Sequence, residues 1–436
     1  MWPYYIKLSW LSIRKTPILS LLMMLAIAMG ITACLTTLTM YRVMSSNPLQ
    51  HKNDRVFAVQ LDSWDPDQAF QSANEMPLQL TYQDAVALHN SEIPTHSVAT
   101  FRSSFTVRAE NSNLNAIIRP ARVTTADFFS VFDAPFLYGA PWDKSVDSAA
   151  EQVVVISAGL NKRLYQKKDS IGRNILLDGL PFKVVGVLDS WQPIPKIYDL
   201  TTLEFGSTED VFIPFSLTPV LQLPRVGDGN VWLSKPIHSY QDFLHHEIVR
   251  VLMWVELTTL KQQQAFAEFI ENYIKQQKQL GRFQRPLRYA LNTPEQWLDI
   301  NEVVKTDNTV LVGISLLYFT ICLVNAVVLL LSKLLRKSTE TGIRRALGAS
   351  RLSIFNQYLS EATIVGLTGS LLGLGMTWLA LAGVRLLYNE YDRVAALSVD
   401  TLVMLIGFTI LASLLSGALP AWFISRVQPG QQLRSQ

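Results

Sequence analysis

The chain has 436 residues, of which 49% are hydrophobic and 17% charged, with a formal net charge of +3. It is too apolar for an ordinary soluble protein and too polar for one immersed in lipid along its whole length. Its two cysteines, Cys34 and Cys322, both fall in apolar runs, which excludes a disulfide framework and a thiolate zinc site.

In chain order, residues 2–13 (WPYYIKLSWLSI) combine aromatic and aliphatic residues with one lysine. That composition suits a helix lying in a membrane interface, assigned to residues 1–16; the alternative is a plain extension of the first span. Four apolar runs, 17–42, 308–332, 355–387 and 401–424, are each long enough to cross the roughly 30 Å hydrocarbon layer as a helix. The first follows Lys7, Arg14 and Lys15, as a signal peptide would. It exceeds a signal core of roughly 7–15 residues and exits through MYRVMSSNP without an A-x-A site, so it reads as a retained span.

Residues 43–307 read as a large α+β domain inserted between the first two of four transmembrane α-helices. HKNDRVFAVQLDSW, SFTVRAE and NAIIRPARV alternate as strands, and Val153–Ile156 and 182–187 read as buried ones. TYQDAVALHNS reads as a helix capped by Thr81. Residues 191–229, rich in Pro, Gly and Asp, read as an extended loop region. LKQQQAFAEFIENYIKQQKQLG is an amphipathic helix ended by Gly281, with Phe266, Phe269, Ile270, Tyr273 and Ile274 on one face. Residues 43–122 and 245–300 are expected to form a membrane-proximal lobe, with 123–244 inserted as a second lobe. NEVVKT and DNTVLVGI contain no helix breaker, which predicts that the second span runs on continuously from outside the membrane.

Charge sorting gives the topology. The amino-terminal segment, the loop at 333–354 and the tail at 425–436 carry eleven Lys and Arg against one acid. Residues 43–307 carry 24 basic and 30 acidic residues, and the loop at 388–400 holds Glu390, Asp392, Arg393 and Asp400. Basic short loops stay cytoplasmic, so both termini and the 333–354 loop are assigned to the cytoplasm and the large domain to the far side of a bacterial inner membrane.

The basic loop reads SKLLRKSTETGIRRALGASR. Gly342 and Gly348 bracket a short helical pattern; its small residues allow close approach, and Arg344 and Arg345 can pair with a partner's carboxylates. The alternative is that the loop's cations, with Lys333, Arg336 and Lys337, hold it at anionic membrane lipid. Glu361, near the mouth of the third span, is expected either to pair with a loop arginine such as Arg344 or Arg351, linking the loop to the span, or to remain solvated at a helix start. Ala26 with Gly30, Gly369 with Gly373, and Ser413 with Gly417 have small-xxx-small spacing, assigned to packing within the chain rather than to a dimer seam.

Catalytic motifs are missing: neither G-x-x-x-x-G-K-[ST] nor G-x-S-x-G occurs, and the six histidines lack metal-ligand spacing. No catalytic, cofactor-binding or metal residue is assigned, and nothing points to nucleic acid.

Glu340, Gly342, Ile343, Arg344, Arg345, Ala346, Leu347, Gly348 and Ala349 resemble the E-x-G-I-R-R-A-L-G-A signature of FtsX-like/MacB-like permeases of ABC transporters. Gln357, Tyr358, Leu359 and Glu361 then lead, as in that family, into a Gly-rich third span. TTADFFSVF, VVVIS, Ile171-Gly172-Arg173, FKVVGVL and VFIPF resemble the family's periplasmic core domain, and Arg426, Pro429 and Leu433 are similar to its terminal D-P-x-x-A-L-R. Two departures stand out: Thr341 replaces an apolar residue, and the tail reads QPGQQLR.

The resemblance implies that residues 340–349 form the coupling helix of a mechanotransmission-type (type VII) permease without a fused ATPase domain. Two permeases, identical or sister chains, would sit on a cytoplasmic ATPase dimer that binds ATP and Mg. The stroke would move the periplasmic domain to export a drug, peptide or lipid-like cargo, with a periplasmic adaptor and outer-membrane channel as further partners. Activation of a cell-wall hydrolase and extraction of lipoproteins are the alternatives on the same architecture.

Overall fold

The computed structural model describes residues 2–72, 75–110, 115–202, 204–224, 226–227, 229–233, 236–387 and 399–425. The expected loop at 388–400, with Arg393, falls almost wholly outside the described residues, as do Arg426, Pro429 and Leu433. Two compact units result, Met1–Ser45 with Val304–Gln436, and Ser46–Val303.

The chain opens with α1 (Trp2–Lys15) and α2 (Pro17–Met44). Pro17 sits at the first turn of α2, where its missing N–H has no helical partner to lose, and this separates the two helices.

The unit Ser46–Val303 is built on β1 (Val56–Leu61), α3 (Tyr82–His89), β2 (His96–Ala109), β3 (Ile117–Thr124), β4 (Phe136–Gly139), β5 (Val153–Ile156), β6 (Asn174–Leu177), β7 (Leu180–Leu188), β8 (Val211–Pro214), β9 (Leu252–Glu256), α4 (Leu260–Gln279), β10 (Tyr289–Asn292) and α5 (Pro294–Ile300). The ten strands form one sheet in the order β10-β1-β9-β2-β3-β8-β5-β7-β4, with β6 paired to β2 and β7. Most ladders are antiparallel; β3 with β8 and β5 with β7 are parallel. Alternate residues of β1 (Phe57, Val59, Leu61) and β2 (Phe101, Phe105, Val107) share one buried cluster with Phe266, Ile270 and Ile274 of α4.

The expected boundary between two lobes, at residues 122 and 123, falls inside β3. Strands from the flanking segments lie on one side of β3 and β8, β5, β7 and β4 on the other, but ladder and hydrophobic cluster continue across. The expected helices stand where the sequence put them. Thr81 Oγ1 accepts from the Asp84 N–H at 3.2 Å, and α4 runs out just before Gly281, which adopts φ +86°.

Two expectations are corrected. Residues 191–229 are not simply a loop: they contain β8 and bury Lys196, Tyr198, Asp199 and Glu209. Turn-forming residues mark the bends here, and the charges between them are internal because Arg122 of β3 meets them. Nor is the second span continuous with what precedes it. Asn301 caps α5, Glu302 takes a left-handed φ of +48°, and the next helix starts only at Thr306.

Asp147 offers a test of this fold. Its carboxylate accepts from the Ala126 N–H at 2.7 Å and from Trp142 Nε1 at 3.0 Å, yet burial outweighs both and pushes its carboxyl up to about 6 from 3.8. A raised carboxyl binds its proton in the folded chain first, so this site stabilises the fold as pH falls from about 6 to 4 and loses that contribution as pH rises again. Asp147→Asn should therefore change in melting temperature relative to the parent between pH 5 and pH 7; a constant offset would contradict the assignment.

The other unit continues with α6 (Thr306–Leu335), α7 (Ser338–Ala346), α8 (Arg351–Leu387) and α9 (Val399–Ser425). Helices α2, α6, α8 and α9 are long and apolar enough to cross a membrane, each extending beyond the apolar run read from sequence except at the amino end of α2 and the carboxyl end of α8. Small residues let their backbones meet. A Cβ built on Gly369 would lie 3.0 Å from the Met24 carbonyl oxygen, one on Gly373 3.1 Å from that of Ala28, and one on Gly30 2.9 Å from the Phe319 ring. Gly417 meets Ala362 in the same way. Ala26 is half-buried, and the Ser413 side chain lies outside the described residues. Thr32 Oγ1 donates to the Gly373 carbonyl at 3.1 Å, and Cys34 is buried with Sγ 3.1 Å from the Ser315 carbonyl.

Candidate functional site

Helix α7 lies in the basic loop between α6 and α8. It begins at Ser338, a turn earlier than the GIRRALG pattern suggests, so Gly342 is interior rather than a boundary. Gly348 ends it with φ +102°: its N–H reaches the Arg345 carbonyl at 3.1 Å, and the Ala349 N–H reaches that of Arg344 at 3.0 Å. This reversal turns the chain into α8 and seats Ala349 against the buried cluster of the helices.

One face of α7 is fastened to α8. Thr341, buried, sits with its Oγ1 2.6 Å from the Tyr358 hydroxyl. Arg344 contacts Glu340 Oε1 at 2.6 Å and donates to Gln357 Oε1 at 3.1 Å. The other face is apolar and open: Ile343 is 52% exposed and Leu347 83%. Glu340, Ala346 and Gly348 are also exposed, and Arg345 is half-buried and engaged. Arg344, one turn from Glu340, closes an i,i+4 pair with it while its side chain stays 37% exposed.

Behind α7 lies a buried polar network that the sequence reading missed. Glu361 is 2% exposed, its Oε1 2.6 Å from Lys333 Nζ, and it accepts from Ser12 Oγ at 2.5 Å. Lys333 also donates to Ser20 Oγ at 3.0 Å, and Lys337 donates to Ser12 Oγ. Ser9 and Ser360 hydroxyls meet at 3.0 Å. Glu361 therefore pairs with neither Arg344 nor Arg351 and is not solvated. It stands ten residues into α8, about 15 Å along the axis from Arg351. Lys333 is likewise a buried residue of α6 rather than a cation held at lipid headgroups. Its signal in the sequence is a lone lysine in helical register with the apolar run before it.

The network joins α1 to the rest. Its Ser9 and Ser12 face α8, while Trp10 and Leu11 are about half exposed, with the Arg14 guanidinium 5.5 Å over the Trp10 ring. So α1, α2, α6 and α8 share hydrogen bonds directly behind the helix whose outer face is open.

Residues 20–272 match the MacB-like periplasmic core domain, and residues 312–429 match the FtsX-like permease C-terminal. The chain belongs to the MacB/FtsX-like permease family. Similar curated proteins include the macrolide export ATP-binding/permease protein MacB of Shewanella sp. (strain W3-18-1), 23% identical over 361 residues covering 80% of this chain and 48% of that one. MacB of Escherichia coli (strain K12) is 24% identical over 378 residues, 84% of this chain and 50% of that one. The chain spans about half the length of the curated relatives it matches. Solved structures that align with it include the periplasmic region of MacB from Actinobacillus actinomycetemcomitans, at 11% identity and TM-score 0.37 over 59% of this chain and 96% of that one. The extracellular domain of the noncanonic ABC-type transporter YknZ from Gram-positive bacteria aligns at 12% identity and TM-score 0.33, over 54% of this chain and 98% of that one.

This MacB/FtsX-like permease is a multi-pass inner-membrane protein with four apolar helices among the described residues and a MacB-like periplasmic α+β domain between the first and second. The family is that of ABC transporter permeases, which work with an ATPase.

Proposed function

We propose that the chain is a permease subunit whose ATP and Mg are bound by separate ATPase subunits, and that the ATPase bears on the outer face of α7. In this reading both termini and the 333–354 loop are cytoplasmic. The stroke passes from α7 through Thr341 and Tyr358 into α8, and through the Lys333–Glu361 network to α1, α2 and α6, and so to the periplasmic domain. The cargo is a drug, peptide or lipid-like molecule. A second permease, identical or sister, completes the membrane part, and an adaptor and outer-membrane channel complete the path.

The observation carrying this reading is the two-sided character of α7, bonded inward through Thr341 and Arg344 and open outward at Ile343 and Leu347. A short helix fixed to the spans on one side and presenting apolar side chains on the other is suited to receive a push. With the cognate ATPase bound, Ile343→Asp with Leu347→Asp should lower permease-stimulated ATPase activity and export about tenfold or more, the scale of losing an apolar anchor at an interface. Membrane insertion and yield should be unchanged. Full stimulation and export in that variant, or labelling of a cysteine at Ser350 by an impermeant reagent from the periplasmic side, would overturn the proposal.

A further inference from the structure

In the α+β domain, the segments before β1, after β3 and after β7 meet around a cavity of about 290 Å³. Its most buried lining residues are Leu49, Phe132 and Ile197, each no more than 3% exposed. Trp191 and Pro193, both half-buried, add two flat ring surfaces. The walls are held in place without a ligand. Ser46 Oγ donates to the Ile194 carbonyl at 2.8 Å, and Lys52 Nζ donates to the Ser130 and Val131 carbonyls at 2.7 and 3.2 Å.

The ionisable residues lining the cavity are His51 and Asp133, and both are engaged: His51 Nε2 lies 2.9 Å from Asp133 Oδ2, and Lys52 Nζ 2.5 Å from Asp133 Oδ1. Among the described residues, no buried polar atom without a partner lines the cavity. A charged group entering it would lose water without gaining a partner, whereas a neutral apolar group is suited to it. The rings decide between apolar groups. Trp191 is stacked on Tyr198 at 5.4 Å and 11°, and Tyr198 meets Phe128 edge-on at 5.1 Å. A ring laid in the cavity extends that series. Ring pairs gain beyond the area they bury, which favours an aromatic group over a saturated chain of the same size. An enclosed apolar cavity of roughly 150 Å³ takes one benzene ring, so about 290 Å³ gives room for two fused rings.

We propose that this cavity binds an uncharged small molecule through a two-ring aromatic group, placed against Trp191 and Pro193, with the polar part of the molecule left at the rim beside Ser190 and His51. The proposal concerns the periplasmic domain alone and needs no ATPase, so it stands or falls separately from the role of α7.

The full chain in phosphatidylcholine nanodiscs, titrated calorimetrically with 2-naphthyl glucoside, tests it. Empty discs correct for uptake into lipid, and octyl glucoside below its micelle concentration supplies the same head on a saturated chain. Saturable one-site binding of the naphthyl probe is expected, about tenfold tighter than that of the octyl probe and unchanged by salt. Trp191→Leu, which keeps an apolar wall but removes the ring, should raise the Kd of the naphthyl probe about tenfold and leave that of the octyl probe unchanged. Because Trp191 also packs on Tyr198, Pro193→Asp serves as a second variant. It sets a charge in the wall and should raise the Kd about tenfold with the melting temperature within a degree or two of the parent. Absence of saturable binding above the blanks, octyl glucoside binding as tightly as the naphthyl probe, or unchanged affinity in either variant would overturn the proposal.

Discussion

Glu209→Leu is expected to cost the α+β domain about 3–5 kcal/mol, the usual result of removing one partner from a buried ion cluster. Four charges are sealed together there: Arg122, Lys196, Asp199 and Glu209 are each no more than 2% exposed at the side chain. Glu209 accepts from Arg122, from Lys196 Nζ at 3.0 Å and from the Tyr198 hydroxyl at 3.0 Å. Without it, two cations share Asp199, whose nearest oxygen is 3.8 Å from Lys196 Nζ.

Arg122 has little else to turn to. Its Nε and Nη1 have no hydrogen-bond partner, and its guanidinium carbon lies 5.1 Å over the Tyr198 ring. Thermal unfolding followed by tryptophan fluorescence should register the loss, because Trp191 stacks on Tyr198 at 5.4 Å. A melting temperature within a degree or two of the parent would show the cluster to be solvated.

Acid should act through the same group. Burial alone would raise the Glu209 carboxyl, but the Arg122 and Lys196 charges override it and hold the group far below its ordinary 4.5. A depressed carboxyl stabilises the fold above the ordinary value, and that contribution drains away as pH falls below 4.5. The parent should thus lose stability on acidification more steeply than Glu209→Gln.

The second large effect belongs to the membrane unit. Lys333→Met leaves the Glu361 carboxylate enclosed with Ser12 as its nearest remaining donor, and Glu361→Leu leaves the Lys333 ammonium with Ser20. Each change should destabilise the unit by about 3 kcal/mol or more, whereas the two together should return to within about 1–2 kcal/mol of the parent, since an apolar pair needs no compensation. Melting temperatures of the four purified chains in one detergent complete the cycle. Simple addition of the two losses would mean that the side chains do not act as a pair.

Strands and helices were legible where a local pattern decides them. FKVVGVL and VVVIS could only be buried strands, Thr81 announced its helix, and the aromatic stripe from Phe266 to Ile274 faces the core as its spacing requires. The order of the sheet was not legible, because β3 and β8 pair Val123 with Ile213 across the four strands, β4 to β7, that come between them in the chain.

Buried charges were misread for a related reason. Arg, Lys, Asp and Glu are seldom interior, and only tertiary structure shows that Lys196 and Glu209, or Lys333 and Glu361, find one another. The turn at Glu302 escaped notice because no Gly or Pro marks it. In the basic loop, composition revealed the positive charge but not its direction. The spacing of Glu340 and Arg344 held that information, since it puts the two side chains on the same face.

The glycines of α8 carry a practical lesson for anyone mapping how two such chains associate. Gly369 and Gly373 are already occupied by the carbonyls of Met24 and Ala28 within the same molecule. Swapping either for a bulky residue would pry the bundle open before it could disturb a neighbour. Loss of self-association in such a mutant would therefore report a damaged protomer, and a search for the contact between copies has to be made with substitutions at other positions.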